Sequence, residues 1–350
     1  MDMAPCPSGS LLYKNKAHIT EGTVMKVGFC VVNYSEKPVE EVVKIAADNG
    51  YEAVELPAYN DNGQVDVDEM LKGNNAKNLK KMVESYGLTI GSLSNHPDSA
   101  LVMGPYSKGM DSICPGTKEE KIKFGMESMI KSAQLANALE VPAVVAFSGM
   151  ENYGHINDWP EPDGWKDEEE QFAEKWGYVF DKYKEYGVKV AFEPHPNNIV
   201  YDTQSTLRLL EVVDHHESFA INLDPANILF SGIDPQRFVY ELADRIVLVH
   251  AKDCEIIQHQ LAKGGLNMYM QDRWGRRDRS FRFRIPGWGD VNWKGLISEL
   301  YLNGYDGVFN YEHEDVIMSR ADGVKKTIDY LKPLMISAPY EGRSDKLFTK

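Results

Sequence analysis

The chain has 350 residues and a formal net charge of −15, with 43% hydrophobic and 26% charged residues. This length permits one large domain or two ordinary ones, and the composition suits a globular protein with a sizeable core. The negative charge opposes binding to nucleic-acid phosphates and favours small-molecule or protein partners. No apolar stretch approaches the roughly 20 residues that span a membrane, so we expect no membrane association.

The N-terminus is predicted to form a loose arm over residues 1–25, because it lacks the continuous apolar core of a secretory signal. The cysteines are far apart and form no CxxC pair, which favours free thiols in a reducing cytosol over a disulfide framework. We therefore expect a cytoplasmic protein. The four cysteines are Cys6, Cys30, Cys114 and Cys254.

From residue 26 onward, short apolar runs alternate with longer segments of helical period, such as PVEEVVKIAADNG. The predicted strands are KVGFCVV (26–32), EAVELP (52–57), LTIGSLS (88–94), PAVVAFS (142–148), VKVAFE (188–193), FAINLD (219–224), RIVLVHA (245–251) and GVFNYE (307–312). Glycine often stands where a helix would end before the next strand, at Gly50, Gly87, Gly187 and Gly304.

This alternation of strands and helices predicts the α/β fold class, as a single (β/α)8 TIM barrel. An open, doubly wound sheet stays as the alternative, since a sequence cannot show closure. No GxGxxG motif follows the first strand, so the sequence offers no glycine-rich loop for binding a dinucleotide. We find no dividing linker and predict one domain over residues 26–336, followed by a C-terminal tail over 337–350.

Three long segments follow predicted strands three, four and seven, at residues 97–117, 149–165 and roughly 252–292. All would lie at the face of a barrel that holds the active site, so they are candidate walls or lids. The third contains the basic cluster RWGRRDRSFRFRIPGWG, which is either a solvated loop or a clamp for a substrate or a partner subunit. Aromatic residues in or beside these segments either anchor the loops or pack against a flat substrate group: Tyr106, Trp159, Trp165 and Trp288.

Ligand-type residues end four successive predicted strands: Glu193, Asp224, His250 and Glu312. Each has an ordinary explanation by itself: an ion pair for either glutamate, a helix start for the aspartate, a core position for the histidine. In a barrel, however, all four would converge at one mouth, where buried carboxylates need pairing or coordination. Three carboxylates and one imidazole suit Mn²⁺, with Mg²⁺ or Co²⁺ as alternatives. The pattern predicts one shared divalent metal.

The motifs FEPHP, NLDPANILFSG, HAKD, RIPGWGDVNW and GYDGVFNYEHED resemble the sugar isomerase/epimerase superfamily of xylose-isomerase-like barrels, over nearly all of residues 26–335. The resemblance implies that Glu193, Asp224, His250 and Glu312 bind the metal and that the two glutamates form an acid–base pair. His96, in SLSNHPD, resembles a family segment at the pocket rim, where it would bind substrate.

Within this superfamily, the EPH sequence and the long segment after strand seven are most similar to catalytic subunits of bacterial C-glycoside deglycosidases. Those enzymes act on 3-oxo-glucosides and work with a small β-sandwich partner subunit. The resemblance implies a lyase within a hetero-oligomer and a sugar or 3-oxo-glycoside substrate.

A metal that binds a sugar carbonyl would stabilise the enediolate formed when the adjacent carbon loses its proton. His195, two residues beyond Glu193, is the candidate base, with Glu193 or Glu312 as the alternative. Lys252 and Asp253 are predicted to touch the substrate or orient a metal ligand, and Trp288 to pack against an aglycone. The same chemistry permits epimerisation, isomerisation or β-elimination, so a ketose 3-epimerase or sugar isomerase is the alternative to the deglycosidase.

Two other function classes fit the sequence less well. A DNA-repair endonuclease on a related barrel would need more histidines and a basic groove, which the acidic chain does not offer. A non-catalytic sugar-binding protein would not need a metal beside titratable bases. We therefore predict a metal-dependent enzyme that removes a proton next to a sugar carbonyl.

Overall fold

A computed structural model describes residues 25–266 and 277–336 of the chain. Its barrel strands are β1 (Lys26–Cys30), β2 (Ala53–Pro57), β3 (Thr89–Asn95), β4 (Ala143–Ala146), β5 (Lys189–Phe192), β6 (Phe219–Leu223), β7 (Ile246–Ala251) and β10 (Val308–Tyr311). These parallel strands close in the order β1-β10-β7-β6-β5-β4-β3-β2. The predicted TIM barrel is confirmed, and the open sheet is excluded.

Helices connect the strands and cover the outside of the barrel. They are α1 (Val39–Asp48), α2 (Val67–Met70), α3 (Asn75–Ser85), α4 (His96–Ala100), α5 (Lys118–Leu139), α6 (Gly164–Tyr186), α7 (Thr203–Val212), α8 (Pro225–Phe230), α9 (Pro235–Leu242), α10 (Gln258–Gly264), α11 (Trp293–Leu302) and α12 (Arg320–Leu331). In α6 the C-cap Gly187 has a φ of 68°, a left-handed conformation that a side chain would disfavour. The prediction that a glycine ends this helix is therefore confirmed at Gly187.

The core has an outer and an inner part. Outside the barrel, aromatic side chains of α6 pack against β5, with the rings of Trp176 and Phe192 4.6 Å apart and both fully buried. Inside the barrel, a smaller apolar cluster combines Ala143 and Val145 of β4 with Ala191 of β5. Burial of these faces removes apolar surface from water and stabilises the closed sheet.

The described part of the segment after β7 contains two strands and a helix. Strand β8 (Asp253–Ile256) pairs antiparallel with β9 (Phe281–Arg284), and α10 follows β8. Residues 267–276 of the segment lie outside the described ranges, and they include Arg273 and Arg276 of the basic cluster. Within the described part, Arg282 and Arg284 both pair with Glu255, so these two arginines hold the hairpin together.

The predicted N-terminal arm, except Met25, and the predicted C-terminal tail lie outside the described residues. Of the cysteines, Cys6 is outside too, while Cys30, Cys114 and Cys254 are free thiols, as predicted. None of the described helices combines the length and the apolar character needed to cross a membrane.

Candidate metal centre

The four predicted metal ligands meet at the mouth of the barrel. Glu193, Asp224 and Glu312 each come directly after a strand (β5, β6 and β10), and His250 lies on β7. Their ligand atoms all lie within 4.8 Å of one another. His250 Nδ1 is 2.8 Å from Glu193 Oε2 and 3.5 Å from Glu312 Oε2. The strand ends thus bring together residues that are up to 119 positions apart in the chain.

The donor atoms of this group fit a divalent cation. Two of them, His250 Nδ1 and Asp224 Oδ2, are buried and make no hydrogen bond of acceptable geometry in the described part of the chain, although Glu193 and Lys252 form ion pairs with them at 2.8 Å. Buried polar atoms normally make well-aligned hydrogen bonds, so two donor atoms held only by ion pairs fit a site for a cation. Three carboxylates and one imidazole nitrogen are the donor set of a hard or borderline divalent ion.

Neighbouring amides orient Glu193. Its Oε1 accepts a hydrogen bond from Asn227 Nδ2 at 2.7 Å, and its Oε2 accepts one from Asn222 Nδ2 at 3.0 Å. His96 Nε2 lies 3.1 Å from the same Oε2, with the imidazole partly exposed. His96, predicted at the pocket rim, is therefore next to a candidate ligand. Together, these contacts fix the orientation of the Glu193 carboxylate.

Burial and neighbouring charges act in opposite directions on the carboxylates of the group. Burial alone would raise the pKa of Glu193, but the charges and hydrogen bonds of His250 and His96 together outweigh it and lower that pKa well below its usual range. Burial raises the pKa of Asp224 to about 7, against the opposing charge of Lys252. Asp224 therefore holds its proton more strongly than an exposed aspartate, and a bound divalent cation would displace that proton.

Glu55 belongs to the same polar cluster and was missed in the sequence. It lies on β2, is buried, and both of its oxygens are 3.2 Å from His250 Nε2. Ser92 donates to it at 2.6 Å. Its signal in the sequence was a carboxylate inside the apolar run EAVELP, which is the same signal that pointed to Glu193.

His195 lies beside the candidate ligands within an arc of rings. Its ring centroid is 5.4 Å from that of Phe147 and 6.0 Å from that of Phe230, and Phe147 is 4.7 Å from His96. His195 Nδ1 donates to the carbonyl oxygen of Pro196 at 2.5 Å, since a carbonyl can only accept. The second ring nitrogen, Nε2, is then the unprotonated one in the neutral side chain.

Lys252 faces the candidate ligands directly. Its ammonium group is 2.8 Å from Asp224 Oδ2, 2.8 Å from Glu312 Oε2 and 2.7 Å from Glu314 Oε2. Burial would lower the pKa of Lys252, but the carboxylates raise it well above its usual value. Lys252 is thus a buried cation among the candidate ligands, and the prediction that it touches the substrate stays a prediction.

Asp253 points away from this group. Its carboxylate accepts hydrogen bonds from four donors: the backbone N–H of Cys254, Gly287 and Val291 and the indole N–H of Trp293. These hydrogen bonds tie the start of the long segment after β7 to its end and to α11, and they leave the carboxylate fully occupied.

The aromatic residues singled out in the long segments have other surroundings. Trp288 is 51% exposed, and the cations of Arg284 and Lys326 lie over its ring. Trp165 donates to Glu169, and Trp159 is 82% exposed. Tyr106 donates to the carbonyl of Val102. From His96, which is 3.1 Å from Glu193, a continuous row of rings runs through Phe147 and His195 to Phe230.

A family model described as the xylose isomerase-like TIM barrel matches residues 43–334. The chain belongs to this family. The predictions of this superfamily and of an enzyme are thereby confirmed.

Two curated proteins and one solved structure show how similar its members are. The chain is 26% identical to the uncharacterized protein YfiH of Bacillus subtilis, over 88% of the chain and 98% of that protein. It is 25% identical to 3-dehydroshikimate dehydratase of Bacillus anthracis, over 65% of the chain and 72% of that enzyme. The crystal structure of AsbF, a probable 3-DHS dehydratase from the same organism, has a TM-score of 0.63 at 20% identity and covers 88% of this chain and 99% of its own. That structural match shows the shared fold.

Proposed function

We propose that the chain is a divalent-metal-dependent lyase that acts on a keto sugar. The observation that carries this proposal is the convergence of Glu193, Asp224, His250 and Glu312, with His195 beside them. Mn²⁺ is the proposed ion, with Mg²⁺ or Co²⁺ as alternatives. When bound, such an ion would supply Lewis-acid polarisation of the substrate carbonyl, which makes the neighbouring C–H bond more acidic.

His195 is the proposed base. Burial lowers the pKa of its imidazole, so the side chain is neutral at neutral pH and can accept a proton. Because Nδ1 donates to Pro196, the proton from the substrate would be taken up at Nε2. Glu193 and Glu312, the other candidates, have pKa values lowered by His250 and, for Glu312, also by Lys252, against the raising effect of burial, which makes them weaker bases.

The specific reaction that we propose is cleavage of a 3-oxo-C-glucoside by β-elimination. The proton leaves C2 of the sugar for His195, and the electron pair of the C2–H bond forms a C1–C2 double bond. The bond between C1 and the aglycone breaks, and its electron pair goes to the aglycone carbon. That carbon takes up a proton, which protonated His195 can return, so the step consumes no oxidant or reductant.

The relatives support elimination as the reaction class. A dehydratase removes water, which is the loss of a proton from one carbon and of an oxygen leaving group from the next. The 3-dehydroshikimate dehydratase of Bacillus anthracis is similar to this chain over most of its length. Elimination from a carbonyl compound needs the same base and the same polarised carbonyl whether the leaving group is water or an aglycone.

The arc of rings supports an aromatic leaving group. Phe147 and Phe230 are half-buried and flank His195, so they present apolar faces beside the proposed base. Phe230 is stacked on Phe281 of β9, with centroids 4.2 Å apart and an interplanar angle of 9°. A flat aglycone placed along this wall would gain ring contacts that a simple ketose cannot make. In this proposal Phe281 of the β8–β9 hairpin supports the wall that packs against the aglycone, a role first assigned to Trp288.

A small β-sandwich partner subunit is part of the proposal, and it rests on the resemblance to deglycosidase subunits. The surface offered to it is next to the mouth, where Val316 is 43% exposed and Ile317 61% exposed shortly after β10. Exposed apolar residues close to site residues are typical of a protein–protein contact, and a partner bound there would also close one side of the substrate pocket.

The test supplies the 3-oxo form of an aromatic C-glucoside with Mn²⁺, with and without the co-expressed candidate partner. We expect free aglycone by chromatography, none with Asp224→Asn, and a clearly smaller yield with Phe230→Ala. If no aglycone appears while a free ketose is epimerised at C3, the elimination proposal is wrong and the ketose 3-epimerase is the function. If wild-type protein binds no divalent metal, the metal-dependent mechanism itself is wrong.

A further inference from the structure

Glu55 and His250 are in contact across the inside of the barrel. They lie on β2 and β7, which are not neighbours in the sheet, so no strand pairing brings them together. Both side chains are buried, and His250 Nε2 is 3.2 Å from each Glu55 oxygen. A buried carboxylate on the far side of a ligand histidine is a common arrangement in metal sites, where it fixes the ring.

The carboxylate of Glu55 is itself held in place. Ser92 Oγ donates to its Oε2 at 2.6 Å, and Asn310 Nδ2 donates to the same oxygen at 3.3 Å. Asn310 reaches it by passing over Gly28, where any Cβ would come within 2.1 Å of Asn310 Oδ1. Three strands besides β2 therefore cooperate to point one carboxylate at one imidazole nitrogen.

We propose that Glu55 is a positioning residue that keeps the proton of His250 on Nε2 and so leaves the lone pair of Nδ1 for the metal. A carboxylate can only accept, so the nitrogen that faces it must carry the hydrogen. Nδ1 also faces carboxylates, those of Glu193 and Glu312, so without a metal both nitrogens carry hydrogen. An ion at the mouth would displace the hydrogen of Nδ1, and the one hydrogen left on the neutral ring would stay on Nε2, opposite Glu55. This inference rests on the proposed metal centre and is independent of the substrate.

A second metal site is the competing explanation of the same atoms. Cys30, Glu55 and His250 also have ligand atoms within 4.8 Å of one another, with Cys30 Sγ 3.7 Å from Glu55 Oε1. An ion there would need the Nε2 lone pair of His250, whereas an ion at the mouth needs that of Nδ1. One imidazole supplies both only after losing its last proton, so a single ion per chain follows from the positioning role.

The experiment measures Mn²⁺ affinity and stoichiometry by calorimetric titration, and the visible spectrum of the Co²⁺-loaded protein, for wild type and three variants. Glu55→Gln keeps the size but offers an amide that can donate to Nε2 and move the imidazole proton to Nδ1. We expect it to bind Mn²⁺ about 10- to 100-fold more weakly and to change the Co²⁺ spectrum, with an unaltered far-ultraviolet circular dichroism spectrum. Ser92→Ala leaves the carboxylate but loosens it, and should weaken affinity in the same direction by less.

Cys30→Ala is the matched control, since it removes the other neighbour of Glu55. We expect unchanged affinity, an unchanged spectrum and one ion per chain. Two ions in wild type that fall to one in Cys30→Ala would overturn the positioning role in favour of a second metal site. Wild-type affinity and spectrum in a folded Glu55→Gln protein would also overturn it. Should Glu55→Gln not fold, an unchanged Ser92→Ala protein would overturn it instead. Absence of metal in wild type would reject the metal centre itself.

Discussion

Asp224 and Lys252 form an ion pair inside the barrel mouth, with Oδ2 and Nζ 2.8 Å apart and both side chains almost fully buried. Asp224 also belongs to the four-residue group that could hold a metal. Its other oxygen, Oδ1, accepts from the backbone N–H of Ala226 and Asn227 and so caps α8. One carboxylate therefore serves the helix with one oxygen and a cation with the other.

Lys252 should weaken metal binding while supporting catalysis. We expect Lys252→Met to bind Mn²⁺ at least about 10-fold more tightly, because it removes a positive charge a few ångströms from the ion. We also propose that the ammonium group contacts the substrate, so turnover should nevertheless fall. Lys252→Arg keeps the charge and is the control for affinity. Weaker Mn²⁺ binding by Lys252→Met would show that the ammonium group organises the ligands instead of opposing the ion.

Asp224→Asn separates the two roles of Asp224. Asparagine is a good helix N-cap, so α8 should form as before. The asparagine side chain that faces the site is neutral, so Mn²⁺ affinity should fall at least about 10-fold. Removing only a hydrogen-bond partner of a metal ligand already costs that much. Metal content after dialysis and thermal unfolding measure the two effects. Glu314→Gln is the control, because it also removes a charge beside Lys252 without being one of the four residues. Full metal occupancy in Asp224→Asn would refute the ligand assignment.

The barrel and the candidate ligands were predictable because both depend on local signals. Alternating apolar runs and helical segments indicated the strands, and parallel strands carry whatever follows them to one face. Asp224 is such a case, since it directly follows β6 and needs no knowledge of its neighbours in space.

Contacts across the barrel were not predictable, because they depend on strand register. Glu55 meets His250 only when the sheet is closed. Three of the four donors to Asp253 reach it only when the end of the segment after β7 lies against its start. The ring that flanks His195 on α8, Phe230, stood in the quoted motif NLDPANILFSG but gave no sign of facing His195. Such pairings follow from tertiary geometry, not from sequence spacing.

His195→Gln should keep the metal and lose most turnover. Glutamine retains a polar side chain but accepts protons poorly, so the rate should fall by about 10²- to 10⁴-fold, as for other lost general bases. Exchange of the C2 proton with deuterated solvent should fall in parallel. His259→Gln, on α10, is the matched histidine control. Unchanged exchange in His195→Gln would move the base to Glu193 or Glu312.

The pH dependence should report the same residue. Burial disfavours the charged imidazolium and lowers the pKa of His195 from 6.5, so the neutral, active form persists to a lower pH than for an exposed histidine. We expect kcat/KM to rise with pH and to level off with a midpoint below 6.5. The profile should be recorded at saturating Mn²⁺ so that the metal ligands do not titrate in this range. A midpoint above 6.5 would contradict the assignment.

Asp253 should matter for stability and not for metal binding. In Asp253→Asn, one carboxylate oxygen is replaced by an amide that faces N–H donors, which leaves buried donors unsatisfied. This change should lower the free energy of unfolding by about 1–3 kcal/mol or more, measured by denaturant titration, while Mn²⁺ content stays at the wild-type level. Asp290→Asn is the control on the same segment, because its carboxylate accepts from Ile256 N–H at an exposed position and its loss should cost less. If Asp253→Asn is as stable as wild type but raises KM for the keto sugar, Asp253 binds substrate, as its place after His250 in the sequence first suggested.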